Sequence, residues 1–83
     1  MFVTFEEVYL RDLYEKGKTD DKNHRYQPDV IRRYRRCVQL MKNVADISSL
    51  LKYNSLNYEM LKGNKKGISS IRVNNKYRIE FAV

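Results

Sequence analysis

The chain has 83 residues, with 17 Lys and Arg against 10 Asp and Glu, for a formal net charge of +7. That length fits a single domain over residues 1–83, leaves no room for a second, and lies near the lower limit of what burial alone stabilises, where a partner adds support. The charge favours nucleic acid, acidic proteins or anionic membrane surfaces, and no apolar run approaches the ~20 residues of a membrane span.

The N-terminus lacks the basic-then-apolar layout of a signal peptide, so the chain reads as cytoplasmic. Cys37 is the single cysteine and cannot form an internal disulfide, which fits a reducing compartment. Phe2-Val3-Thr4 reads as a short first strand, and Thr4 with Glu7 has capping-box spacing for a helix start. Tyr9, Leu10, Leu13 and Tyr14 then recur at helical spacing, with Gly17 suited to the stop. Residues 18–27 are polar and read as a loop. Pro28 is placed for the first turn of a second helix.

That second helix carries a broad apolar stripe of Val30, Ile31, Tyr34, Cys37, Val38, Met41 and Val44, with Arg32, Arg33, Arg35 and Arg36 outside it. The arginine run reads first as a solvated face, with an acidic partner or ribosomal surface as the alternative. Residues 46–51 read as a short helical turn and residues 56–61 as a strand.

Two final strands complete the reading. Ile71 and Val73 alternate with Ser70 and Arg72, while Tyr77, Ile79 and Phe81 alternate with Lys76, Arg78 and Glu80, the period of half-buried strands. A two-residue turn at Asn74 and Asn75 sets Ile71 opposite Arg78 and mixes the faces. A three-residue turn from Asn74 to Lys76 sets Val73 opposite Tyr77 and Ile71 opposite Ile79, keeping one face apolar. It also sets Arg72 opposite Arg78. Like charges so placed destabilise a hairpin unless they splay into water or share an anion such as a phosphate.

The order of elements predicts an α+β domain with two N-terminal helices on one face of a small antiparallel sheet. The other face displays Ser70, Arg72, Arg78 and Glu80, with Lys62, Lys65 and Lys66 arriving from the Gly63-Asn64-Lys65-Lys66-Gly67 loop. Such a face suits a strand of RNA, with Lys65, Lys66, Ser70 and Lys76 as candidate binding residues.

The run Leu-Lys-Gly-Asn-Lys-Lys-Gly-Ile-Ser-Ser-Ile-Arg-Val-Asn-Asn-Lys-Tyr-Arg-Ile-Glu-Phe, from Leu61 to Phe81, resembles the signature of HigB-type toxins of the RelE superfamily. There a Leu-Lys-Gly-(Asp/Asn)-basic loop leads into Ser-Ile-Arg-Val-Asn and an aromatic-Arg-Ile-x-Phe strand. The likeness covers about a quarter of the chain densely and extends in layout to the upstream helices. It implies a RelE-like α+β fold and the toxin of a type II toxin-antitoxin system, partnered by a HigA-like helix-turn-helix antitoxin and by the ribosome that presents messenger RNA.

The implied activity is an endoribonuclease reaction without metal or cofactor, because the ribose 2′-hydroxyl of the substrate attacks the adjacent phosphate. The protein then supplies positioning, charge stabilisation and proton transfer. By position, Lys62 matches the lysine of the loop, Arg72 the basic residue of the central strand and Arg78 the arginine after the aromatic. Glu59 stands near the place of a histidine in some members, as a candidate base or an ordinary surface carboxylate.

The resemblance also implies a further strand and a tail with an acid-base residue beyond Val83. Without them the edge of the last strand would invite a partner or a second copy, and the chain would be a weak or inactive module that binds RNA or its antitoxin. Other chemistries lack their residues. His24 is the only histidine and no Cys/His cluster has metal-ligand spacing. Cys37 reads as a buried hydrophobe. Ser69 and Ser70 have no accompanying histidine, and the glycine loop lacks the ending of a phosphate loop.

Overall fold

A computed structural model describes residues 1–82. The fold is α+β and divides into two compact units, Met1–Val44 and Ala45–Val83.

The first unit is a helix pair, α1 (Val8–Glu15) and α2 (Pro28–Asn43). Pro28 opens α2 as the sequence predicts, since its missing N–H is one the first turn leaves unbonded anyway. The expected first strand is absent: residues 2–4 are irregular. The Met1 amino group donates to the carbonyls of Met41 (3.1 Å), Lys42 (3.0 Å) and Val44. The segment thus meets the carbonyl end of α2 rather than a strand neighbour, and that end favours a cation. Nor does the Thr4 capping box form. α1 begins after Glu7, whose side chain makes no cap bond, and whose carbonyl accepts from the main chains of Leu10 and Arg11.

Side chains of α2 complete the backbone of α1. The Tyr34 hydroxyl donates to the Leu10 carbonyl (2.7 Å) and Arg35 Nε to the Tyr14 carbonyl (2.9 Å), the latter one of the last-turn acceptors a helix cannot bond internally. Gly17, at φ +73°, turns the chain out of α1 in the left-handed region. Of the apolar stripe read on α2, Cys37, Val38, Met41 and Val44 are buried, with Leu13 of α1, while Val30, Ile31 and Tyr34 are half-buried. Burial raises the pKa of the Cys37 thiol, against a smaller opposite pull from Arg36 and Arg33. Burial likewise raises that of Tyr34, with Tyr9 and Tyr26 adding to it. Arg32, Arg33, Arg35 and Arg36 are exposed, and Arg32 and Arg33 pair with Asp29 at 3.3 and 3.6 Å.

The second unit opens with the short helix α3 (Ile47–Leu50), capped by Asp46, whose carboxylate accepts from the Ser49 main chain at 3.1 Å. A 3-10 turn follows over Asn54–Leu56, then Asn57 at φ +47°. The strand expected over 56–61 is therefore only β1 (Glu59–Met60), because a left-handed residue cannot continue a strand. β1, β2 (Ile68–Arg72) and β3 (Arg78–Ala82) form an antiparallel sheet in that order. Ile71 pairs with Ile79 and Arg72 with Arg78, the register of the three-residue turn. Asn74 sets that turn: its Oδ1 accepts from the main-chain N–H of Lys76 (2.9 Å) and Tyr77 (2.8 Å), and the Tyr77 carbonyl accepts from Val73 (2.9 Å). Leu50, Leu56, Ile71 and Val73 are the buried apolar residues of this unit among those described. No helix among the described residues is long and apolar enough to cross a membrane.

Candidate nucleic-acid interface

Because directly paired residues share a face of the sheet and every second residue along a strand returns to it, register alone assembles the site. Glu59 pairs with Ser70 and Ser70 with Glu80, giving one row across the three strands. Arg72 and Arg78 form the adjoining row. Thus Glu59, Ser70, Arg72, Arg78 and Glu80 lie on one face.

Arg78 is exposed yet held at several points. Its Nε donates to Ser70 Oγ (2.8 Å), and its Nη2 donates to the Ser70 carbonyl (3.4 Å) and the Asn57 carbonyl. Arg72 Nη2 donates to Asn75 Oδ1. With the Asn57 amide oriented to satisfy its neighbours, its Nδ2 donates to the Asn54 carbonyl (3.3 Å) and its Oδ1 accepts from Arg72 Nη1 (3.3 Å). The two arginines face one another as expected, and protein carbonyls lie between and around them.

Ser70 departs from expectation. Alternation sends it toward solvent, but it is 1 % exposed. It is short and lies in the central strand, and its hydroxyl accepts from Arg78 Nε.

The lysines separate into two kinds. Lys65 Nζ lies 2.7 and 3.0 Å from the two carboxylate oxygens of Glu80, so its charge is largely matched. Lys62 and Lys66 are exposed and form no ion pair among the described residues. Lys62 precedes the 3-10 turn Gly63–Lys65, and Gly63 and Gly67 both take left-handed φ (+68° and +90°), conformations that let the loop carry its lysines beside the sheet. The loop is closed by Leu61 N–H to the Ile68 carbonyl at 2.9 Å. Lys76 lies in the hairpin turn with Nζ 5.4 Å from the Tyr77 ring centre. Glu59 is exposed on the edge strand β1.

On the opposite face, Tyr58 and Ser69 share a hydrogen bond of 2.8 Å between hydroxyls, and Tyr58 packs against Phe81 with ring centres 6.3 Å apart. His24 lies in the first unit, stacked on Tyr9 at 3.7 Å with Nδ1 3.0 Å from Asp21 Oδ2. The Asn23 main chain, more than His24, lowers the Asp21 carboxyl pKa.

Asn57 and Asn75 were not legible as parts of this face. The signal for Asn57 was slight: an Asn between Leu56 and Tyr58, in a segment read as strand, is a residue that tolerates left-handed backbone.

Residues 3–83 match the family model described as the RelE-like toxin HigB of type II toxin-antitoxin systems. Toxin HigB-1 of Vibrio cholerae serotype O1 (strain ATCC 39315 / El Tor Inaba N16961) is 38 % identical over 84 residues, spanning 98 % of this chain and 82 % of the relative. No solved structure matches the chain.

Proposed function

Since the chain belongs to the HigB-like family of RelE-like toxins of type II toxin-antitoxin systems, a class of protein that has an antitoxin partner, we propose that it is an endoribonuclease that cuts messenger RNA on the ribosome and so inhibits translation. The observation that carries this reading is the pairing of Arg72 with Arg78 on a face where three protein acceptors hold the Arg78 guanidinium.

In the reaction the ribose O2′ forms a bond to the adjacent phosphorus as the bond from phosphorus to O5′ breaks. A proton leaves O2′ and another reaches O5′, so the products are a 2′,3′-cyclic phosphate and a 5′-hydroxyl. Arg78, with Arg72 and Lys62, stabilises the charge that gathers on the phosphate oxygens. Glu59 takes the proton from O2′. Lys66 and Lys76 draw the RNA backbone onto the face, Lys65 contributes less because Glu80 offsets it, and Ser70 acts through Arg78.

The partner that neutralises the toxin is a HigA-like helix-turn-helix antitoxin, and the reaction takes place in the cytoplasm, where ribosomes are. β3 is an edge strand of the sheet among the described residues, and its outer edge is the proposed contact for that antitoxin or for a second copy of the chain. The test is single-turnover cleavage of a ribosome-bound message, with growth arrest on expression and its relief by co-expressed antitoxin. Cleavage that survives chelation of metals supports the reading. A protein that binds ribosomes and leaves the message intact overturns it in favour of a non-catalytic RNA- or antitoxin-binding module.

A further inference from the structure

Two guanidinium groups set opposite one another in a hairpin repel, and their long side chains would separate into water unless something holds them. Here a single residue reaches both. The main-chain carbonyl of Asn57 accepts from Arg78 Nη2, and its side-chain carbonyl accepts from Arg72 Nη1 at 3.3 Å. It can do so because its backbone is left-handed, at φ +47°, which turns its carbonyl away from the line a strand residue would follow. Its remaining N–H donors are anchored in turn: Nδ2 on the Asn54 carbonyl at 3.3 Å, and the main-chain N–H on the same carbonyl at 3.1 Å. Ser70, 1 % exposed, fixes the other side of Arg78 through Nε at 2.8 Å.

From this geometry we infer that Asn57 is a positioning residue for the proposed cleavage: it clamps Arg72 and Arg78 into one preformed two-guanidinium cradle for a single phosphate, before RNA arrives. The inference rests on the endoribonuclease reading for its catalytic consequence, but the clamp is a property of the free protein. An arrangement ready in advance stabilises a transition state without reorganisation during the reaction. A clamp therefore acts on the rate at saturation more than on binding, which the exposed lysines largely supply.

Asn57→Gly isolates the effect. Glycine adopts the left-handed backbone without strain and keeps the carbonyl that holds Arg78, while removing the amide that links Arg72 to it and leaving the separate bond from Arg72 to Asn75 in place. Two readouts apply to the full chain: the single-turnover rate across a range of message-bound ribosome concentrations, and the side-chain nitrogen–proton NMR signals of the arginines without RNA. In Asn57→Gly the saturating rate is expected to fall about tenfold while the half-saturating ribosome concentration moves less than about twofold. The Arg72 guanidinium signals should shift or broaden and those of Arg78 persist. In Ser70→Ala the Arg78 signals should change instead. A parental saturating rate in Asn57→Gly overturns the role. If the parent does not cut, the endoribonuclease reading fails and the NMR signals decide alone: unchanged Arg72 signals overturn the clamp, and selective loss of them upholds it.

Discussion

Lys65 and Glu80 meet through both carboxylate oxygens, at 2.7 and 3.0 Å, on the margin of the arginine face. Both side chains stay substantially exposed, at 62 % and 40 %, so the pair adds little to stability. Its effect is on charge: among the three loop lysines, one is matched within the protein.

RNA affinity measured against salt should show this directly. Each lysine that displaces a counterion from single-stranded RNA contributes about 0.7 to the slope of log K against log salt. Lys62→Ala and Lys66→Ala are each expected to flatten the slope by about that amount. Lys65→Ala should flatten it by clearly less, and equal effects from all three would mean that RNA displaces Glu80 on binding.

Arg78→Ala should slow single-turnover cleavage by about two to three orders of magnitude, the scale of losing one preorganised donor, with a much smaller loss of ribosome binding. Lys62→Ala should act the same way but less severely, as a flexible ammonium is less preorganised. Arg78→Lys should not restore the rate, because an ammonium cannot reproduce the planar fork that meets Ser70 and Asn57 together. Parental cleavage by Arg78→Ala would remove the residue from the mechanism.

The hairpin turn depends on Asn74, whose carboxamide accepts two main-chain N–H groups. Asn74→Ala removes both acceptors and is expected to cost about 1–2 kcal/mol in urea unfolding. A change under a few tenths of a kcal/mol would show that the turn is set by strand register alone.

Gly17→Ala tests the exit from α1. The backbone there is left-handed, and a Cβ would stand 3.1 Å from Arg35 Nη1. The end of the arginine can shift, so the backbone term dominates and the expected loss is about 1 kcal/mol. Urea unfolding of Gly17→Ala beside Arg35→Ala, which removes the bond to the Tyr14 carbonyl, separates the two contributions.

Alkaline pH should weaken the first unit. Burial raises the thiol pKa of Cys37 and the hydroxyl pKa of Tyr34, so the unfolded chain releases these protons first as pH rises. Their contribution is complete below the unfolded values, about 8.5 for Cys and 10 for Tyr, and declines above them. Cys37→Val should therefore reduce the loss of stability between pH 8 and 10. Alkylation of Cys37 by iodoacetamide at neutral pH should be slow in the native protein and fast in urea.

Legibility from sequence followed the strength of the local constraint. Apolar alternation admits only one hairpin register with a clean face, so Ile71 opposite Ile79 and Arg72 opposite Arg78 could be read in advance. The same alternation set Ser70 on the right face but missed its burial, because periodicity gives the direction of a side chain and not whether a longer neighbour lies over it. Residues 2–4 have strand-forming side chains but no strand beside them. Asn57 was hidden because its main-chain and side-chain carbonyls reach the two arginines only through a left-handed backbone angle that no spacing encodes.

The Arg78 hydrogen bonds lead to a hydroxyl and two carbonyls, all uncharged. Dipoles fix a guanidinium without cancelling it, whereas a carboxylate in their place would have made a neutral pair visible only at contact. The field of Arg78 consequently extends about a Debye length, ~8 Å at physiological ionic strength, into the solvent before any contact forms. Rigidity and long-range attraction, which compete when an arginine is held by an acid, coexist here, and the approach of an anionic strand is guided by the same group that receives it.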